Sequence, residues 1–111
     1  MEQRDYVRRL LEFYCATPGT CGTARRPDRL LAAQLYQRGV PLEAVENALI
    51  LAAARRLARP ADAPPLGTIR SLAYFSPVID EVMSLSVSPE YFRYLRQRIA
   101  TLTSVKQLPS V

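Results

Sequence analysis

Apolar residues recur along this chain at the three- and four-residue intervals of a helix, and Pro and Gly punctuate the pattern. From about Glu2 to Cys15, Val7, Leu10, Leu11 and Tyr14 fall at i, i+3, i+4 and i+7. That spacing predicts an amphipathic helix with Arg4, Arg8 and Arg9 largely on the opposite face. Pro18, Gly19 and Gly22 end it in a loop over Thr17–Thr23. A second helix is predicted from Pro27 or Asp28, where Pro suits the first helical position and Asp the positive helix end. Leu30, Leu31 and Leu35 form its stripe, and Gly39 stops it in the left-handed conformation. A third helix opens at Pro41 and runs to about Leu57. Leu42, Val45, Leu49, Ala52 and Leu57 lie on or near one face, with small Ala48, Ala53 and Ala54 admitting close neighbours.

Three prolines within Arg59–Pro65 break that helix. The fourth helical region is predicted over about Gly67–Ser84. Ile69, Leu72, Ala73 and Ser76 mark one stripe, Phe75, Val78, Ile79, Val82 and Met83 another, and Pro77 imposes a kink or a division into two short helices. Ser88–Pro89–Glu90 starts a last helix, in which Phe92, Leu95, Ile99 and Leu102 recur to about Thr103. No stretch alternates like a half-buried strand over more than about five residues. The prediction is all-α: a compact bundle of about five helices in one domain over residues 1–103. It has a helix-turn-helix-like hairpin at 28–57, a Pro-kinked fourth helix and a loose tail over 104–111.

Composition narrows the function classes. At 111 residues and 49% hydrophobic, the chain has material for one core. Its longest apolar run, Ala48–Ala54, is seven residues, against the roughly 20 of a membrane helix. Residues Met1–Asp5 carry no apolar stretch of a secretory signal. The expectation is a cytoplasmic protein with no membrane partner. There is no histidine and no tryptophan, which removes the commonest general base and most metal chemistry. Cys15 and Cys21 are too widely spaced for a C-x-x-C motif and have no further ligands for zinc, so both read as plain thiols. A metal reading of Glu43 and Glu46, three apart on one helix, competes with the plainer one of a solvated face. The expectation is no enzyme, no cofactor and no metal.

Charge is more informative. The net charge is +5, and every basic residue except Lys106 is arginine. Composition alone accounts for part of that bias, but the planar guanidinium also suits phosphate. Residues 1–38 and 88–111 each carry a balance of +3, whereas residues 60–87 carry −2. Such asymmetry points to an anionic partner. Arg25, Arg26 and Arg29 surround the start of the second helix, where cations oppose the helix dipole, so the dipole does not explain them. Arg55, Arg56 and Arg59 end the third helix, where it does. Arg93 and Arg96 lie three apart on the last helix, beside Tyr94 and Arg98. Arg25, Arg26, Arg29, Arg55, Arg56, Arg93 and Arg96 are the candidate phosphate contacts.

Between Leu31 and Leu49, a helix ends at Gly39, Val40 plugs the turn, and Val45 and Ala48 face back, as in a helix-turn-helix. The would-be recognition helix opens with Leu42, Glu43 and Glu46, which repel phosphate, and leaves Asn47 as its base reader. Tyr74 and Phe75 are read either as core with a hydroxyl at the rim or as a base-stacking pair.

The stop at Gly39, the run Ala44-Val-Glu-Asn-Ala-Leu49 and the segment Ile69-Arg-Ser-Leu-Ala-Tyr-Phe75 resemble small uncharacterised helical proteins of bacterial mobile elements. Residues 30–85 are more distantly similar to the DnaD-like domains of bacterial and phage replication proteins. The chain departs from the DnaD pattern in lacking its closing Trp and in placing Pro77 inside the region. The resemblance implies DNA binding, or loading of a replication partner, without catalysis. The alternative is a protein-interaction module, homodimer or adaptor, that uses an apolar face of the fourth region.

Overall fold

The computed structural model describes residues 1–84 and 89–107. They form five α-helices: α1 (Gln3–Ala16), α2 (Arg26–Gln37), α3 (Leu42–Leu57), α4 (Ser76–Ser84) and α5 (Pro89–Gln107), with a 3-10 turn at Leu72–Phe75 before α4. The fold is all-α. Among the described residues, extended pairing is limited to one parallel bridge between Thr20 and Ile69. None of the described helices is long and apolar enough to cross a membrane.

α3 is the axis of the molecule. It is apolar around its whole circumference from Ala48 to Ala53, a pattern that requires neighbours on every side. On one side Val45, Leu49 and Ala52 join Leu10 and Tyr14 of α1, Leu35 of α2, Leu72 and Phe75 of the 3-10 turn, and Ile79 of α4 in the main core. On the other, Ile50 and Leu51 meet Phe92 and Leu95 of α5, with Phe13, Val78 and Val82 bridging to the main cluster. Each of these large side chains contributes about 1.5–3 kcal/mol on leaving water.

Several sequence expectations change. α2 packs chiefly on α1, and α3 on α4 and α5, so the two helices predicted as a hairpin find their main partners elsewhere. Gly39 does take a φ of +76°, and Val40 is buried in the turn between them. In α1 the buried line is Tyr6, Leu10 and Tyr14, with Val7 and Leu11 at its edge. Tyr6 lies outside the predicted stripe, and its hydroxyl donates to the Val40 carbonyl at 2.7 Å. In α2 the buried positions are Asp28, Ala32 and Leu35, and Leu30 is exposed.

The fourth region does not form a kinked helix over 67–84. Ile69 is held in a bridge instead, donating to the Gly19 carbonyl (2.7 Å) and accepting from the Cys21 amide (2.9 Å), and Ser71 is extended. The Ser71 hydroxyl then accepts from Ala73 to start the 3-10 turn, which runs directly into α4. Ser76 is already in the α conformation, so it is not the cap predicted for Pro77. α5 continues to Gln107, making residues 104–107 helical rather than part of a tail. No Gly or Pro interrupts residues 90–107. Residues 108–111 and the side chain of Leu102 lie outside the described residues.

Candidate nucleic-acid interface

The start of α2 is organised by one carboxylate. Arg25 is extended (φ −112°, ψ 173°), and its amide donates to Asp28 Oδ2 at 2.8 Å, which is half of a capping box. Arg25 has no side-chain acceptor with which to complete it. The other oxygen, Oδ1, accepts from the Leu72 amide at 2.9 Å, so Asp28 ties α2 to the 3-10 turn. Only 2% of Asp28 is exposed, and among the described residues no cation pairs with it. Its charge is met by backbone donors and by the positive end of α2.

Around this anchor, Arg25, Arg26 and Arg29 are all exposed, and among the described residues none pairs with a carboxylate. Arg29 also lines a groove between α1 and α2 of about 460 Å³, facing Arg4 and Arg8 across Val7 and Leu11. Arg8 is engaged with Asp5 (3.5 Å) and Glu12 (3.7 Å), whereas Arg4 pairs with no carboxylate among the described residues. Arg4 thus joins the cluster through helix packing, which spacing along the chain does not reveal.

Arg55 and Arg56 have other employment. Arg55 forms a two-pronged pair with Glu81 of α4, at 2.8 and 2.5 Å. The pairing raises the arginine pKa and lowers that of Glu81. Arg56 donates to the Gly67 carbonyl (2.7 Å) and the Tyr74 hydroxyl (3.3 Å), with its guanidinium 5.8 Å from the centre of the Tyr74 ring. Arg59 donates to the Pro64 carbonyl at 2.8 Å. Together these arginines hold the proline-rich connection and α4 against the end of α3. Tyr74 is accordingly a rim residue gripping Arg56, and Phe75 is fully buried.

Arg93 and Arg96 are exposed on α5 and pair with no carboxylate among the described residues. Arg96 edges an apolar groove of about 340 Å³ between α1, α3 and α5. Arg29 and Arg96 therefore open into different grooves.

The recognition-helix role expected for α3 meets a steric obstacle. Val45 and the six residues from Ala48 to Ala53 are buried in cores shared with five other elements. A major groove takes up a helix by its exposed side, and here exposure is confined to the two ends of the helix, Glu43 in the first turn and Arg55, held by Glu81, in the last. Asn47, half-buried, lies near the first of these ends. Cys15 and Cys21 are free thiols. Among the described residues no three acidic, Cys or His side chains gather in a way that could hold a metal ion. No family model, curated protein or solved structure matches the chain.

Proposed function

We propose that this chain is a non-enzymatic, DNA-associated accessory protein that binds chiefly through phosphate. Arg25, Arg26 and Arg29, with Arg4 beside them, form the leading contact surface, and Arg93 and Arg96 of α5 a second. The observation that carries the reading is the cluster at the start of α2. Three guanidiniums stand exposed and without carboxylates at a helix end whose dipole opposes them. They do little for the buried Asp28, because exposed charges beyond contact distance are screened by solvent and salt. An anionic partner supplies what the fold does not. A role in replication or mobile-element maintenance is drawn from the sequence resemblance of residues 30–85.

The apolar face that a protein-docking role would take from the fourth region is largely spent internally. Phe75 and Ile79 are buried, and Val78 and Val82 pack against the core.

The test is anisotropy of a labelled DNA duplex at about 50 and about 200 mM salt. Roughly four phosphate contacts predict about a hundredfold loss of affinity across that range. Absence of binding at the lower salt would overturn the reading.

A further inference from the structure

α1, α3 and α5 come together beside Ile50 without closing on one another, because each brings a small side chain to the meeting point. Ala16 ends α1, Ala53 is the last buried position of α3, and Ala100 lies one turn beyond Arg96 on α5. The space left between them is the groove of about 340 Å³, walled chiefly by Phe13, Ile50, Ala53 and Ile99. Thr17 also lines it, but its hydroxyl is spent on the Phe13 carbonyl at 2.7 Å. Arg96 is the one charged side chain on the lining, and among the described residues no carboxylate or hydrogen-bond acceptor engages it.

We propose that this groove is a small-molecule site that takes an apolar monocarboxylate, its hydrocarbon part laid between the three helices and its carboxylate on Arg96. The volume falls at the lower end of the roughly 300–1,000 Å³ of ligand sites, which likewise combine an apolar wall with few placed polar groups. One turn of a helix, about 10–12 Å across and about 5.4 Å high, fills more than this space, so the groove suits something thinner than a partner helix. A single unpaired guanidinium matches a single negative charge, and its planar fork pairs a carboxylate through two hydrogen bonds. The carbonyls of Phe13, Tyr14 and Cys15 accept from Thr17 and Thr20, which blunts the negative end of α1 beside the groove. The groove between α1 and α2 lacks this selectivity, because Glu12 lines it and repels a carboxylate.

The experiment titrates decanoate into the isotope-labelled full chain and follows the backbone amide resonances, with decanol and decylammonium as probes of matched length. Saturable shifts are expected around Thr17, Ala53 and Ile99, with a dissociation constant of about a millimolar or below for a ligand of this size. Decylammonium should bind about tenfold more weakly than decanoate, and Arg96→Ala should weaken decanoate about tenfold while leaving decanol within about twofold. Ala100→Phe, at an exposed position, fills the groove and should abolish binding of decanoate and decanol with the melting temperature unchanged. Shifts centred on the α1–α2 groove, equal affinity for decanoate and decylammonium, or decanoate binding untouched by Arg96→Ala would each overturn the proposal. Absence of saturable shifts would do the same. No nucleic acid enters the titration, so failure here leaves the DNA reading standing, and failure of that reading leaves this site standing.

Discussion

At Asp28 the two carboxylate oxygens serve different parts of the chain, one capping α2 and the other holding the backbone of Leu72. An Asp in a helix's first turn is ordinarily a surface residue that complements the dipole, and nothing in the local sequence marks this one as buried. Its second bond spans 44 positions, which is why spacing alone does not disclose it. Asp28→Asn keeps the size but replaces one acceptor oxygen with a donor, so one buried amide loses its partner. The expected cost is about 1–3 kcal/mol in urea unfolding. A variant as stable as wild type would show that the tie is dispensable. Tyr6 and Tyr14 make a second, pH-dependent contribution. Burial pushes both phenols up to about 12 from 10, with Asp28 adding to the shift at Tyr14. A phenol with a raised folded-state pKa holds its proton more tightly when folded. The stability it lends is therefore complete below pH 10 and lost as pH rises toward 12. The melting temperature should fall across that window, and by less in Tyr14→Phe than in wild type; an equal fall in both would contradict the assignment.

Among the elements, those with periodic apolar stripes were legible in sequence and those defined by long-range pairing were not. α1, α3 and α5 begin near their predicted starts, because Ser, Pro and Gly mark their ends and a stripe marks their interiors. Phe92 and Leu95 are buried as their spacing predicts. The segment from Gly67 to Ser71 has the same apolar spacing as a helix, yet Ile69 is drawn into a bridge with the loop at Gly19 and Thr20. That contact joins positions some fifty residues apart and overrides local preference. The helix-turn-helix pattern misled for a related reason. Gly39 and Val40 form the expected turn, but the pattern cannot say that α5 covers the far side of α3. For the candidate site, sequence identified which arginines are numerous and where they cluster. The helix dipole sets Arg25, Arg26 and Arg29 apart from Arg55 and Arg56 in the sequence, but the sequence does not disclose that Arg55 and Arg56 brace α4 and the loop while the first three lack carboxylate partners among the described residues. Partnership is a property of packing.

For the whole molecule, the positive charge predicted at the two ends of the chain appears on separate surfaces, the α1–α2 groove and the exposed side of α5. The middle of the chain, with its negative balance, supplies Glu81 to neutralise Arg55. The molecule measures 42 × 31 × 25 Å, so its long axis spans about one turn of duplex, whose pitch is roughly 34–36 Å. A single chain can therefore meet only a few phosphates on one face of the DNA, consistent with the modest salt slope expected above. Under the proposed function the arginines divide by task, some facing phosphate and some holding the fold. The most direct test compares Arg25→Ala/Arg26→Ala/Arg29→Ala with Arg55→Ala/Arg56→Ala, in duplex affinity at about 50 mM salt and in melting temperature. The first variant is expected to lose about tenfold or more in affinity with its melting temperature unchanged. The second should melt at a lower temperature while binding duplex nearly as wild type does. If the first variant melts early and binds normally, or the second keeps its stability and loses DNA, the division is wrong.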